Sequence, residues 1–236
     1  MKRIAVSAIL CALAFNLSFF WQELWLVIPK ALTPGLYPTL FHNNHDWTGS
    51  APNVDLLQGT GAIATLASGL FFLTVRRWRL FAFWMAFEGL FQSLSQLAVG
   101  TQLPGNDVGR ALAYLGMGEG GKTALLALAL LSMVVAGGSL ARIRPPLLEA
   151  ALAALLSIAL IVPFRLPRNI VEVLLIPAIV QAIGLISLLL GASFADRRVS
   201  EPMTAPLLVP TLALAVLLLI FQLILRPGIP FFHGAA

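Results

Sequence analysis

A chain of 236 residues that is 59% hydrophobic and only 11% charged, with a mean hydropathy of +0.91, lies far from the roughly 25% charged fraction of soluble domains. Composition therefore excludes an ordinary soluble enzyme and predicts an all-α fold, a polytopic integral membrane helical bundle in contact with membrane lipids. The net charge of +5 does not point to nucleic acid as a partner, because the 15 Lys and Arg stand in short clusters between apolar runs and form no basic stripe.

Met1, Lys2 and Arg3 open an apolar run containing Ala12-Leu13-Ala14, a charged start and small-residue site like those of a signal peptide. The run continues to Leu26, so an uncleaved signal-anchor helix is expected. Cys11 is the single cysteine and leaves no disulfide within one chain, and bulky Leu10 before it does not suit a lipid-acceptor site.

A helix needs about 20 mostly apolar residues to cross a hydrocarbon core. About seven transmembrane helices satisfy this, at roughly 4–27, 57–75, 80–99, 121–140, 146–164, 170–193 and 206–225, and the whole chain, 1–236, reads as one transmembrane domain. The two long connections, 28–56 and 100–120, are rich in Pro, Gly, Asn and Asp, and are expected to carry function. With the N-terminus cytoplasmic, that side receives nine cations: Lys2, Arg3, Arg76, Arg77, Arg79, Arg142, Arg144, Arg197 and Arg198. The other side receives six: Lys30, Arg110, Lys122, Arg165, Arg168 and Arg226. Positive charge favours the cytoplasmic face. Both long loops, the C-terminus and His233 are thus expected on the extracytoplasmic side.

Ionisable groups inside such segments are costly, so they mark candidate sites. Glu88, Gln92 and Gln96 recur every four residues on one helical face beside Ser95. At 1.5 Å rise per residue Glu88 lies about 13 Å beyond Arg79, near mid-membrane. Asn16 and Glu23 share a face of the first helix, Gln58 and Glu172 begin the second and sixth, Gln181 lies within the sixth, and Gln222 ends the seventh. Most of these fall toward the outer leaflet and predict a polar cavity that opens outward.

The segment Phe41 to Trp47 stands at that level and holds two of the three histidines. His42 and His45, spaced His-x-x-His, are candidate metal ligands with Asp46. Glu23 would serve as a further ligand or a general base, and Glu88, an alternative carboxylate ligand, would line the catalytic floor with Gln92. A zinc ion so held would lower the pKa of its water to about 7 and supply hydroxide for hydrolysis. Asn43, Asn44, Gln58, Gln92, Gln96 and Lys122 would contact substrate. The competing interpretation is an interfacial loop: Trp21, Trp25, Tyr37 and Trp47 suit the membrane boundary, and Asn43, Asn44 and Asp46 suit turns. No His-Glu-x-x-His or nucleophile elbow is present.

Gly116 to Thr123 matches the P-loop pattern letter for letter, yet no strand precedes it, so no nucleotide is expected. A glycine-rich helix start with Lys122 would seat an anion, or Gly116 and Gly120 would serve packing. Gly61, Thr65 and Gly69 make a small-residue face suited to close helix packing. The function that follows is a metal-dependent membrane hydrolase acting at the extracytoplasmic face. Two alternatives stand beside it. One is a transporter or channel with a Glu88, Gln92 and Gln96 path; the other is a structural subunit that meets other membrane proteins through its small-residue faces.

Overall fold

The computed structural model describes residues 2–195 and 206–231; Arg197, Arg198 and His233 lie outside the described residues. The expected helical bundle is what forms. Six helical spans are long and apolar enough to cross a membrane: Lys2–Ala31, Val54–Thr74, Glu119–Ala141, Leu147–Arg165, Val171–Ala192 and Leu208–Leu225. We label the helices α1 (Lys2–Ala31), α2 (Val54–Leu57), α3 (Thr60–Thr74), α4 (Arg79–Gln102), α5 (Asp107–Tyr114), α6 (Glu119–Ala141), α7 (Leu147–Arg165), α8 (Ile176–Ala192) and α9 (Leu208–Ile220). A π-helical turn, Val171–Leu175, leads into α8, and another, Phe221–Leu225, ends α9.

The helix expected at 80–99 is α4, and it differs in kind from the other six. Its 24 residues are less apolar because of the Glu88 stripe, but it stands at the centre, packed against α1, α3, α6 and α8. Phe83, Trp84, Phe87 and Phe91 are all fully buried. Trp84 Nε1 donates to Ser7 Oγ of α1 at 3.0 Å, so this polar ring atom keeps a partner inside the core.

Small residues set the closest helix crossings. A Cβ added to Gly69 would stand 2.6 Å from the backbone nitrogen of Leu90, and one on Gly137 would stand 1.9 Å from the carbonyl oxygen of Ser187. α3 therefore rests on α4, and α6 on α8, at backbone contact, as small-residue faces allow. Gly61 presses against Gln22 and Leu26 of α1. The Gly61, Thr65 and Gly69 face is thus occupied within the chain.

Neither long connection is a plain loop. In 28–56 the chain forms β1 (Leu36–Leu40) and β2 (His45–Gly49), an antiparallel hairpin with Leu40 opposite His45 and Leu36 opposite Gly49. Gly35 and Gly49, at φ +84° and +88°, supply the left-handed backbone at its base. β3 (Ile229–Pro230) adds to the free edge of β1, and Phe231 N donates to Pro38 O at 2.9 Å. The chain beyond α9 is thereby tied to the chain beyond α1, which places both helix ends on the hairpin side. In 100–120, α5 forms with Asn106 as its cap, the Asn106 side chain accepting from Val108 N at 2.9 Å.

Candidate functional site

Beneath the hairpin lies a cavity of about 430 Å³ that runs from exposed Asn44 at the hairpin turn down to Phe15 and Gln92. α1 contributes Gln22 and Glu23, α4 contributes Gln92, Ser95 and Gln96, α5 contributes Asp107, and the α7 end contributes Arg165 and Arg168. Phe19, Ile176, Ile179 and Val180 form its apolar wall.

The outer layer is a charged knot. His45 Nδ1 stands 2.7 Å from Glu23 Oε2, and His45 Nε2 stands 3.2 Å from Gln58 Oε1. Both ring nitrogens therefore face oxygen atoms of the protein. Lys30 Nζ donates to Leu26 O at 2.8 Å and to Gln58 Oε1 at 3.3 Å, and lies 4.9 Å from the Trp47 ring centroid. That ring also stacks on His45, with centroids 5.8 Å apart. Lys30 is fully buried, a placement that requires such a ring of acceptors and π-electrons. Burial pushes the Asp107 carboxyl above its ordinary range, and Glu23 adds to this; His45, Lys30 and Arg110 pull the other way.

The inner layer surrounds Glu88. Gln181 Nε2 and Cys11 Sγ donate to Glu88 Oε1, the thiol from 3.3 Å, and Gln92 Nε2 donates to Glu88 Oε2 at 3.3 Å. The Cys11 sulfur also lies 3.3 Å from Ser157 Oγ. Glu88, Cys11 and Ser157 are 0% exposed. Every donor to this carboxyl is neutral, and among the described residues no ion pair reaches it. Gln92 belongs to both layers, since it lines the cavity and holds Glu88.

The two histidines part company. His42 turns into the bundle, its Nε2 3.1 Å from Leu166 O and its ring against Phe164 and Phe221, and its Nδ1 is buried without a hydrogen-bond partner. Burial pulls its pKa below the ordinary 6.5; the carbonyls of Leu166 and Phe164 oppose this, and Arg226 and Arg168 reinforce it. Asp46 is exposed and caps its own strand by accepting from Trp47 N at 2.8 Å. Among the described residues no group of three or more His, Cys, Asp or Glu side chains could hold a metal ion.

Other expected contacts divide similarly. Asn43 Nδ2 donates to Phe164 O at 3.0 Å, and Arg168 Nη2 donates to Asn43 O at 2.7 Å, so Asn43 docks the hairpin turn on the α7 end. Gln96 Nε2 donates to Gln22 Oε1 across the cavity wall. Lys122 pairs with Glu119 at 2.9 Å on the first turn of α6 and does not line the cavity. Three members of the site carried weaker signals. Lys30 and Arg165 stand among the cations of the connections, and Cys11 is a lone thiol within an apolar run; a lysine next to Pro29 at the end of a long apolar helix is the one available hint that Lys30 is drawn inward. No protein-family model, curated protein or solved structure matches this chain.

Proposed function

We propose that the protein is a proton-coupled membrane transporter in which Glu88 is the group that takes up and releases the coupling proton. The supporting observation is the fully buried Glu88 carboxyl, held by the neutral donors Gln181, Gln92 and Cys11 and joined through Gln92 to the hairpin-side cavity. An unpaired carboxylate in a low-dielectric interior costs several kcal/mol, roughly, whereas a neutral carboxyl does not. Such a group binds a proton when the cavity is empty or closed, and gives it up when water or a counter-charge arrives. The path is Gln96, Gln92 and Glu88, the stripe along α4.

The hairpin side is extracytoplasmic in this reading. Of the six cations on that side, Lys30 and Arg165 are buried in the bundle and do not act as loop charges. Removing them leaves four against the nine on the opposite side.

The Glu23–His45 pair gives some support to hydrolysis, because a carboxylate-oriented imidazole is the usual form of a general base. His45 nevertheless has both ring nitrogens on protein oxygens, and His42 and Asp46 turn elsewhere. The transport reading therefore fits better than a zinc-dependent hydrolase.

Two measurements test it. In liposomes loaded with a pH-sensitive dye, a panel of small carboxylates and phosphates added outside should change luminal pH through wild-type protein but not through Glu88→Gln. A response that survives the substitution would rule out Glu88 as the coupling group. Metal analysis of purified protein is the second; stoichiometric zinc that disappears in the His42→Ala, His45→Ala double variant would restore the hydrolase.

A further inference from the structure

The charges around the cavity are nearly all paired. Glu23 faces His45, and Arg168 binds Glu172 through Nη1 and the Asn43 carbonyl through Nη2. Asp107, also on the wall, takes part in no ion pair among the described residues, and of the cations Arg165 is the exception. It is 0% exposed, its Nε donates to Glu172 O at 3.3 Å, and its guanidinium carbon lies 4.4 Å from the Phe19 ring centroid. Both of its terminal nitrogens, Nη1 and Nη2, are buried with no hydrogen-bond partner. A guanidinium carries five donors in a fixed fork, and a buried one left open is unfavourable until an acceptor arrives. Arg165 is also one of the residues that line the cavity, beside the apolar wall of Phe19, Ile176 and Val180.

From this we infer that the cavity is a binding site for an amphipathic anion, a single carboxylate or phosphate head seated on the Arg165 fork with an acyl or similar apolar body against Phe19, Ile176 and Val180. The inference deepens the transport reading and rests on it, since it names the class of molecule carried. Planar two-point recognition is the geometry that favours arginine over lysine for such heads. The volume of about 430 Å³ lies in the range of small-molecule pockets, about 300–1,000 Å³. The head could belong to a free solute or to a lipid entering from the outer leaflet, and both present the same chemistry to Arg165.

The test is calorimetric titration of octanoate into full-length protein in phosphatidylcholine nanodiscs, against empty discs and with octanol as the uncharged control. Saturable binding of octanoate at least tenfold tighter than octanol is expected, weakened tenfold or more by Arg165→Gln and less by Arg165→Lys, which keeps charge but loses the fork. Ile176→Trp, which fills the apolar wall without touching the guanidinium, should abolish binding and keeps the question answerable if Arg165→Gln does not fold. Discs containing phosphatidylglycerol separate the sources: displaced octanoate identifies the lipid head as the occupant, and undisturbed binding identifies the free solute. Octanoate that binds no better than octanol, or equally to wild type and Arg165→Gln, overturns the inference. Binding is read without flux, so intact Arg165-dependent binding with no Glu88-dependent pH change would sink transport alone, and the reverse would sink the anion site alone.

Discussion

His45 Nδ1 lies 2.7 Å from Glu23 Oε2, with the two side chains only 6% and 5% exposed. A strand of the hairpin thus reaches down to bind a carboxylate on the first helix, and the hairpin serves as the roof of the cavity. Removing His45 leaves the Glu23 carboxylate buried without its partner, a loss of about 3–5 kcal/mol. His45→Phe should accordingly lower the melting temperature sharply, and the Glu23→Leu, His45→Phe double variant should recover most of the loss, with Glu23→Leu alone completing the cycle. Additive losses in that cycle would mean that the two side chains do not act as a pair.

His42 is the opposite case. Its ring fills an aromatic niche between Phe164 and Phe221 while one nitrogen stays without a partner. His42→Phe should stay within about 1 kcal/mol of wild type at neutral pH, because the lost contact to a carbonyl is balanced by removal of an unsatisfied buried atom. The pH response has a definite sign. The folded state holds the ring neutral below its ordinary 6.5, so it binds fewer protons than the unfolded chain and stability falls as pH drops beneath that value. His42→Phe should flatten this acid limb of a melting-temperature profile; an unchanged limb would show that another group causes it.

Asp107 gives the mirror image. Its carboxyl is raised above the ordinary 3.8 by burial, so the folded state holds the proton longer than the unfolded chain does. The associated stability is complete below 3.8 and is lost as pH rises through the folded value. Asp107→Asn should therefore match wild type in acid and melt higher than wild type near neutrality. Equal melting temperatures across the whole range would refute the shift.

How much of this was legible follows from distance along the chain. The α4 stripe could be read because Glu88, Gln92 and Gln96 are local, each one turn from the next. Cys11 and Gln181 come to the same carboxyl from two other helices, 77 and 93 positions away in sequence, by packing that no local period encodes. The sequence places Glu23 and His45 together only as ligands of one ion; their direct contact joins a helix to a strand 22 positions away. His42 lies apart because the hairpin turn between the two residues sends their side chains to different walls. The hairpin itself was hidden by Pro38, a residue that argues against a central strand; here its carbonyl, which proline retains, takes the bond from Phe231.

The α3 to α4 crossing predicts a purely steric effect. With a Cβ at Gly69 falling 2.6 Å from a backbone atom, no side-chain rotation can relieve the clash and the helices must separate. Gly69→Val should cost at least the roughly 1–3 kcal/mol of an overpacked core, seen as a lower melting temperature. Gly105→Val, where an added Cβ meets nothing within 4 Å, is the control.

Glu88 separates stability from function most cleanly. Glu88→Ala removes the acceptor used by Gln181, Gln92 and Cys11 together, and each orphaned buried donor costs about 1–3 kcal/mol. Glu88→Gln keeps the shape and one acceptor oxygen while removing the titrating group. The alanine variant should melt well below wild type, and the glutamine variant should melt at or above it yet give no luminal pH change. If glutamine destabilised the protein as much as alanine does, the carboxylate charge itself would be holding the helices together, and a structural role for Glu88 would replace the coupling role.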